Sequence, residues 1–265
     1  MQPNRAKRLL SEGKTIVGGW VCSSDPAVTE MMADTGFDFI VVDTEHNPQT
    51  PLTVRAHMMA LKDRPATPIC RVLWNDFVRV KQLLDLGAEG LVFPWVSTTE
   101  QAVAAVRSTR YPPNGNRGWG PRRPIRRAES ALDYYQHADE NILVLCQIET
   151  QQAVDNADAI AAVEGVDALM IGPADLSIGL GVPLDWECDT FVAALRRVRA
   201  AVEAVGKAFG VITSGAELAR RWLDEGARIV IAGADTALLS MMAQSTLADI
   251  RQMLGTSTDA GGDPS

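Results

Sequence analysis

The sequence contains few of the features that mark membrane, secreted or nucleotide-binding proteins. Its 265 residues include no run of about 18 uncharged apolar residues, so we predict no transmembrane helix. The first 13 residues carry basic side chains but no apolar segment, and we therefore expect no secretory signal. Neither G-x-x-x-x-G-K-S/T nor G-x-G-x-x-G occurs, which argues against nucleotide-phosphate sites.

Cysteine is also scarce, and the 33 acidic residues outnumber the 25 lysines and arginines. The four cysteines form no C-x-x-C pair and mostly lie in apolar runs, so buried thiols are expected rather than disulfides or a cysteine metal site. The net charge of −8 disfavours nucleic acid and anionic membranes as partners. Together these absences indicate a cytoplasmic protein, and an anionic substrate would need local positive charge.

The residues that are present alternate between short apolar runs and amphipathic segments. Continuous apolar runs are typical of parallel strands buried on both faces. Eight such runs are predicted strands: 15–22, 38–43, 67–72, 90–95, 143–149, 167–172, 207–212 and 228–232. The predicted helices are 25–35, 51–62, 76–86, 98–109, 151–163, 190–205, 216–225 and 235–254. The composition does not change along these eight strand–helix units in a way that would mark a second domain, which favours one (β/α)₈ TIM-barrel domain over residues 1–254. We expect a disordered tail, 255–265, after it.

Polar residues follow several of these runs at their carboxyl ends, where barrel active sites are built. Glu149 and Asp175 end consecutive strands, which lie about 4.8 Å apart in a parallel sheet. Two carboxylates completed by water suit a hard divalent cation such as Mg²⁺ or Mn²⁺. The alternative is that one of them, Asp175 above all, caps the helix that follows.

Arg71 ends the third run. A guanidinium at a barrel mouth can bind a carboxylate bidentately or stabilise an enolate oxygen. The other interpretation is a structural ion pair with an acid at a neighbouring strand end.

His46 is the one histidine of three that follows a strand end. Its neighbours Asp43 and Glu45 could orient the imidazole and raise its basicity, as a general base requires. A structural loop histidine remains the alternative. No lysine follows a predicted strand end, which disfavours a Schiff-base mechanism.

Two further segments stand out. The arginine-rich stretch 117–127 is interpreted either as a lid that attracts an anionic substrate or as a solvated loop. The last predicted helix is too apolar for one stripe packed on its own barrel, which predicts an obligate oligomer. The alternative is a helix that simply closes its own barrel.

The segments GFDFIVVDTEH (36–46), CRVLWNDFVRVKQLLDL (70–86), YPPNGNRG (111–118), QIE (147–149) and GVDALMIGPADLS (165–177) resemble the HpcH/HpaI aldolase family. The likeness is greatest to its branch of metal-dependent (class II) aldolases that cleave 4-hydroxy-2-oxoheptanedioate, and it extends over residues 13–254.

The resemblance implies a role for each matching position. Glu149 and Asp175 correspond to ligands of Mg²⁺, Mn²⁺ or Co²⁺, Arg71 to the residue that stabilises the enolate, and His46 to the proton acceptor. Asp85 corresponds to an acid that raises the basicity of a neighbouring subunit's histidine, and Asp43 is expected to act beside His46. Substrate contacts are implied for Gln147, Gly172, Pro173, Ala174 and Asp175.

The implied activity is that of a carbon–carbon lyase that reversibly cleaves a 4-hydroxy-2-oxo acid into pyruvate, or hydroxypyruvate, and an aldehyde. The implied assembly is a homohexamer, a trimer of dimers, in which the last helix is exchanged between subunits. A CoA-thioester lyase of the citrate lyase β-subunit or malyl-CoA lyase type and a non-catalytic ligand-binding barrel are the two alternatives.

Overall fold

The computed structural model describes residues 1–213 and 215–255, and within them eight parallel strands close into a barrel in chain order. Each strand lies within two residues of a predicted run at either end, so the (β/α)₈ prediction is confirmed. The strands are Ile16–Val21 (β1), Phe39–Asp43 (β2), Thr67–Arg71 (β3), Gly90–Phe93 (β4), Leu143–Ile148 (β5), Ala168–Ile171 (β6), Ala208–Ile212 (β7) and Ile229–Ala234 (β8). Apart from 255, the predicted tail lies outside the described residues.

The helices between the strands include all the predicted ones and several that were missed. They are Arg5–Ser11 (α1), Pro26–Asp34 (α2), Pro51–Ala60 (α3), Phe77–Leu86 (α4), Thr99–Thr109 (α5), Ala131–Asn141 (α6), Gln151–Asp155 (α7), Ala157–Ala162 (α8), Pro173–Gly179 (α9), Asp189–Ala204 (α10), Ala216–Asp224 (α11) and Asp235–Met253 (α12). The predicted helix 151–163 is therefore two helices, which meet at Asn156. Helices α1, α6 and α9 and a short 3₁₀ helix, Pro124–Arg127, were not predicted.

Side-chain caps define where many of the helices begin. Asp25 accepts a hydrogen bond from the Ala27 N–H, and Pro26 occupies the first helical position. Thr50 and Thr98 each form a reciprocal capping box with the residue three positions later. These caps satisfy N–H groups that would otherwise lack partners at the end of each helix.

The strands alternate between two cores. Residues such as Phe39, Val41 and Ile69 point into the barrel, whereas Ile40 and Val42 pack against the surrounding helices. Because the side-chain period of a strand is two, the last inward positions of β2, β3 and β5 project into the mouth at the carboxyl ends of the strands. Asp43, Arg71 and Gln147 occupy these positions.

Helix α1 closes the opposite, amino-terminal end of the barrel. Its Ala6 and Leu10 are buried in the barrel's inner core, and the Ala6 N–H donates to Thr67 Oγ1 at 3.0 Å. With that end filled by apolar side chains, the carboxyl end is the accessible end of the barrel interior.

Helix α12 leaves the barrel after its first turn. Asp235 is buried and accepts hydrogen bonds from the Cys22 and Ser23 N–H groups at 3.0 and 2.9 Å, which fixes the start of the helix. Every residue from Leu239 to the end of the helix is exposed, including Met242 at 68% and Met253 at 83%.

The cysteines are free thiols, as predicted. Cys70 and Cys146 are buried within the sheet, and Cys22 and Cys188 are half-buried. Among the described residues, no helix is both long enough and apolar enough to cross a membrane.

Candidate active site

Arg71 and Asp43 form a bidentate ion pair at the barrel mouth. They are directly opposite each other in the register of β2 and β3, on the inward face. Arg71 donates from Nε to Asp43 Oδ1 and from Nη2 to Oδ2, both at 2.7 Å, and both residues are buried. The Arg71 charge and these bonds outweigh burial and lower the pKa of Asp43, although burial is the largest single influence. Asp43 therefore holds the guanidinium in one orientation.

Two further residues fix the Arg71 side chain. Its Nη1 lies 2.9 Å from Glu45 Oε2, and its guanidinium carbon lies 4.8 Å from the centre of the buried Trp20 ring. A guanidinium has more N–H groups than these contacts use, so Arg71 can still donate to a substrate oxygen. The ion pair that the sequence suggests for Arg71 is therefore present in the structure, and it does not prevent Arg71 from binding a substrate.

Glu149 lies just beyond the end of β5 at the same mouth and is 2% exposed. The main-chain N–H of Trp95 donates to its Oε2 at 2.8 Å, and Gln147 Nε2 donates to its Oε1 at 2.8 Å. Burial, with the nearby negative charges of Asp175 and Glu45, raises the pKa of Glu149 to about 7. A second positive charge close to this carboxylate would favour its ionised form.

Gly172 and Asp175 approach Glu149 from the end of β6. A Cβ placed on Gly172 would lie 2.3 Å from Glu149 Oε1, so a larger residue at position 172 would displace the Glu149 carboxylate from this position. Asp175 is half-buried in the first turn of α9, after Pro173. A carboxylate there suits the positive end of the helix, but within the described residues no side-chain cap bond forms at this helix start.

The donors gathered here fit a hard divalent cation. Glu149 and Asp175 supply carboxylate oxygens, and the buried Gln147 Oε1 has no hydrogen-bond partner in the part of the chain that the structure describes. Oxygen donors of this kind suit Mg²⁺ or Mn²⁺ rather than a thiophilic metal. Within the described residues no cluster of three or more His, Cys, Asp and Glu side chains could hold a metal.

His46 lies beside this group but is loosely held. Its side chain is 61% exposed, and Nε2 is 3.9 Å from Glu45 Oε2, within ion-pair range but too long for a hydrogen bond. Asp43, which the sequence places next to His46, instead bonds Arg71 and also accepts from Asn47 Nδ2 at 2.5 Å. The two acids near His46 therefore both contact Arg71 in this structure.

Asp85 and the arginine-rich stretch 117–127 lie away from this mouth. Asp85 is near the end of α4, where the chain returns to the start of β4, and its Oδ1 is 3.3 Å from Arg117 Nη2. Arg117 is buried and stacks over Tyr111 at 4.5 Å. A connection from a helix to the next strand runs at the amino-terminal end of the barrel, so this stretch is neither a lid over its own mouth nor a uniformly solvated loop.

Sequence reasoning missed several contributors to the site. Glu45 was treated as a neighbour of His46, whereas it contacts Arg71, and Asn47 was not considered. The Trp95 contribution is a main-chain N–H, which no side-chain pattern reveals. Trp20 contacts the Arg71 guanidinium, and its inward position on β1 was the available signal.

Comparison with known proteins identifies the relatives of this chain. The sequence is 39% identical over 248 residues to 4-hydroxy-2-oxo-heptane-1,7-dioate aldolase of Shigella sonnei, covering 92% of this chain and 94% of that protein. The crystal structure of an HpcH/HpaI aldolase/citrate lyase family protein from Burkholderia cenocepacia superposes with a TM-score of 0.88 at 32% identity, covering 94% and 99% of the two chains. The citrate lyase β subunit from Mycobacterium tuberculosis, at 16% identity, 86% and 95% coverage and a TM-score of 0.56, shares the fold alone. The sequence matches the HpcH/HpaI aldolase/citrate lyase family over residues 17–241, and the chain belongs to that family.

Proposed function

We propose that the chain is a metal-dependent aldolase that reversibly cleaves a 4-hydroxy-2-oxo acid into pyruvate, or hydroxypyruvate, and an aldehyde. The observation that carries the proposal is the arrangement at one barrel mouth of an oriented guanidinium, Arg71, and a buried carboxylate, Glu149, whose pKa is raised to about 7. The family relationship supports the same reaction class.

Glu149 and Asp175 are the proposed ligands of Mg²⁺, Mn²⁺ or Co²⁺. When bound, the cation supplies a Lewis acid that withdraws electrons from the keto group of the 2-oxo acid. Trp95 and Gln147 hold the Glu149 carboxylate in place through hydrogen bonds to its two oxygens. Gly172 keeps the neighbouring strand end clear of it.

Arg71 stabilises the negative charge that develops on the substrate's keto oxygen when the C3–C4 bond breaks. Asp43 and Glu45 fix the guanidinium before substrate arrives, so little reorganisation is needed during the reaction. Gln147 and the first turn of α9, through Gly172, Pro173, Ala174 and Asp175, are the remaining proposed substrate contacts.

His46 is the proposed base that takes the proton from the C4 hydroxyl, directly or through a water. The C3–C4 electron pair then remains on C3 as the enolate of pyruvate, and the aldehyde leaves. Exposure of the His46 side chain leaves the imidazole accessible to substrate entering the mouth.

The two alternatives are separated by their substrates. A CoA-thioester lyase would turn over a CoA ester, and its named relative, the citrate lyase β subunit, supports the fold alone at 16% identity. A non-catalytic barrel would bind pyruvate without turnover. The oriented arginine and the raised pKa of Glu149 favour an enzyme over a non-catalytic barrel, because perturbed ionisable groups in a cleft are typical of active sites.

The deciding experiment measures pyruvate released from 4-hydroxy-2-oxoheptanedioate. We expect turnover with Mn²⁺, Mg²⁺ or Co²⁺ and its loss with EDTA, with restoration by added metal. Borohydride and pyruvate should leave no adduct in the mass spectrum, since the mechanism forms no Schiff base. Full activity after complete metal removal, or turnover only of a CoA ester, would reject the proposal.

We further propose that the protein is cytoplasmic and works as a hexamer, a trimer of dimers, in which α12 crosses to a partner. The support is the exposed apolar surface of that helix, which includes Leu239, Met242, Leu247 and Met253. A surface of this kind on a projecting helix is characteristic of a subunit contact. In such an assembly Asp85, near the other end of the barrel, would act on His46 of a neighbouring subunit.

A further inference from the structure

A cavity lies at the amino-terminal end of the barrel, opposite the candidate active site. It has a volume of about 520 Å³ and is lined by the start of β3, by the segment before it, and by the 3₁₀ helix Pro124–Arg127. Such a volume accommodates a small metabolite.

The lining of this cavity is strongly cationic, although the chain as a whole carries a net charge of −8. The six basic residues in the lining are Arg5, Lys62, Arg64, Arg123, Arg126 and Arg127, against the acids Asp63 and Glu89. Four of the six have carboxylate partners: Asp38 for Arg5, Asp63 for Lys62, Glu30 and Asp34 for Arg64, and Glu89 for Arg127.

Arg123 and Arg126 have no carboxylate partner among the residues that the structure describes. The Arg123 head group is fixed, because its Nη2 donates to the Met58 carbonyl at 2.6 Å. Burial and the charges of Arg126 and Arg55 lower the pKa of Arg123. Arg123 is half-buried and Arg126 is exposed, and the described part of the chain supplies neither arginine with a neutralising carboxylate.

The backbone that carries these arginines is well defined. Pro124 begins the 3₁₀ helix, the Ile125 N–H donates to the Pro121 carbonyl at 3.1 Å, and the Arg126 N–H donates to the Arg123 carbonyl at 3.2 Å. Arg123 and Arg126 are three residues apart at this short helix, and guanidinium groups pair well with phosphate and carboxylate oxygens.

We propose that this cavity binds a small multiply charged anion, a phosphate ester or a polycarboxylate, through Arg123 and Arg126. The site is separate from the candidate active site and does not depend on the aldolase proposal. Binding neutralises these charges and stabilises the folded chain by mass action.

The test is titration calorimetry of the metal-loaded protein with inorganic phosphate and, separately, with malonate, which distinguishes phosphate from carboxylate recognition. We expect Arg126→Ala, and more strongly Arg123→Ala with Arg126→Ala, to weaken binding by roughly tenfold or more, since each removes a charge-assisted pair. Arg126→Ala leaves the Arg123–Met58 contact intact, so the result does not depend on a variant that fails to fold.

Two controls separate this site from others. Arg122→Ala, one residue before the cavity lining, should bind within about twofold of wild type because it changes net charge alone. Arg71→Ala should also keep the binding, since that residue lies at the other end of the barrel. Binding of neither anion, or binding lost in Arg71→Ala and retained in the double variant, would overturn the proposal.

Discussion

The main-chain N–H of Trp95 donates to Glu149 Oε2 at 2.8 Å from a residue in the left-handed region, with a φ of 55°. A non-glycine residue there carries backbone strain, and such strain is found where a precise backbone position is required. The turn after β4 thus places a fixed donor on the proposed metal ligand.

This relationship predicts that only one of two substitutions at Trp95 weakens metal binding. Trp95→Gly keeps the N–H and relieves the φ strain, so metal affinity and kcat should remain within about threefold of wild type. Trp95→Pro removes the donor and cannot adopt the φ, so it should weaken metal binding at least about tenfold. Calorimetric titration with Mn²⁺ checks both, and equal affinities in the two variants would contradict the role of the N–H.

Arg71 should be essential for turnover because its charge faces the developing enolate. Arg71→Ala should lower kcat/KM by two to three orders of magnitude, roughly 2.7–4 kcal/mol. Arg71→Lys should also be poor, because an ammonium group cannot form the bidentate pair with Asp43. Steady-state pyruvate release measures both variants, with circular dichroism to verify folding, and a wild-type value for Arg71→Ala would remove Arg71 from the mechanism.

His46 should act in aldol cleavage and not in every proton transfer. His46→Ala should lose cleavage of the 4-hydroxy-2-oxo acid but keep measurable exchange of the pyruvate methyl protons, followed by NMR in deuterium oxide. His137→Ala is the matched control, since His137 is exposed and contacts Asp133 within its own helix, α6. Cleavage at the wild-type rate in His46→Ala would show that another group is the base.

The raised pKa of Glu149 predicts a pH dependence of stability in the metal-free protein. A folded-state pKa of about 7, above the ordinary 4.5, means that the folded chain binds this proton more tightly than the unfolded chain. The contribution is therefore most favourable below the ordinary value, and it is lost as pH rises to about 7, by about 3 kcal/mol.

Urea unfolding of EDTA-treated protein between pH 5 and pH 8 measures this loss, and Glu149→Gln should flatten it by removing the ionisable group. Saturating Mn²⁺ should stabilise the wild type more at the high end of this range, where the carboxylate is already deprotonated. An identical pH slope in wild type and Glu149→Gln would rule out Glu149 as its source.

The exposed face of α12 predicts a change of assembly when it is made charged. Leu239→Glu combined with Met242→Glu should reduce the mass measured by light scattering and lower activity at nanomolar concentration, because charges would be buried in the contact. Gln244→Glu on the same helix is the control and should keep the wild-type mass. A monomeric, fully active wild type would exclude both the helix exchange and the action of Asp85 on a partner.

Much of the fold could be predicted because parallel strands buried on both faces are continuous apolar runs, as in 143–148. Side chains of a strand point alternately to its two faces. Leu145, Gln147 and Glu149 are every second residue, so their side chains share the inward direction, and this period predicts part of the site. What the pattern cannot supply is the choice of partner. Asp43 is only three residues from His46 in the sequence, but the register of β2 and β3 places it opposite Arg71.

The missed elements have similar physical causes. Helix α1 is short, and its burial under the barrel depends on the closed sheet above it rather than on its own periodicity. The stretch 117–127 was considered as a lid because of its charge, whereas its position follows from connectivity: it leads from a helix to the next strand. Following the direction of the chain would have placed it at the amino-terminal end.

Gly172 offers a way to compare this site between proteins of the same fold. Because a single added methyl group would lie 2.3 Å from the Glu149 carboxylate, a chain with any side chain at this position must place that carboxylate elsewhere. The presence or absence of glycine at one position therefore sorts barrels of this fold into those that can reproduce the same carboxylate position and those that cannot.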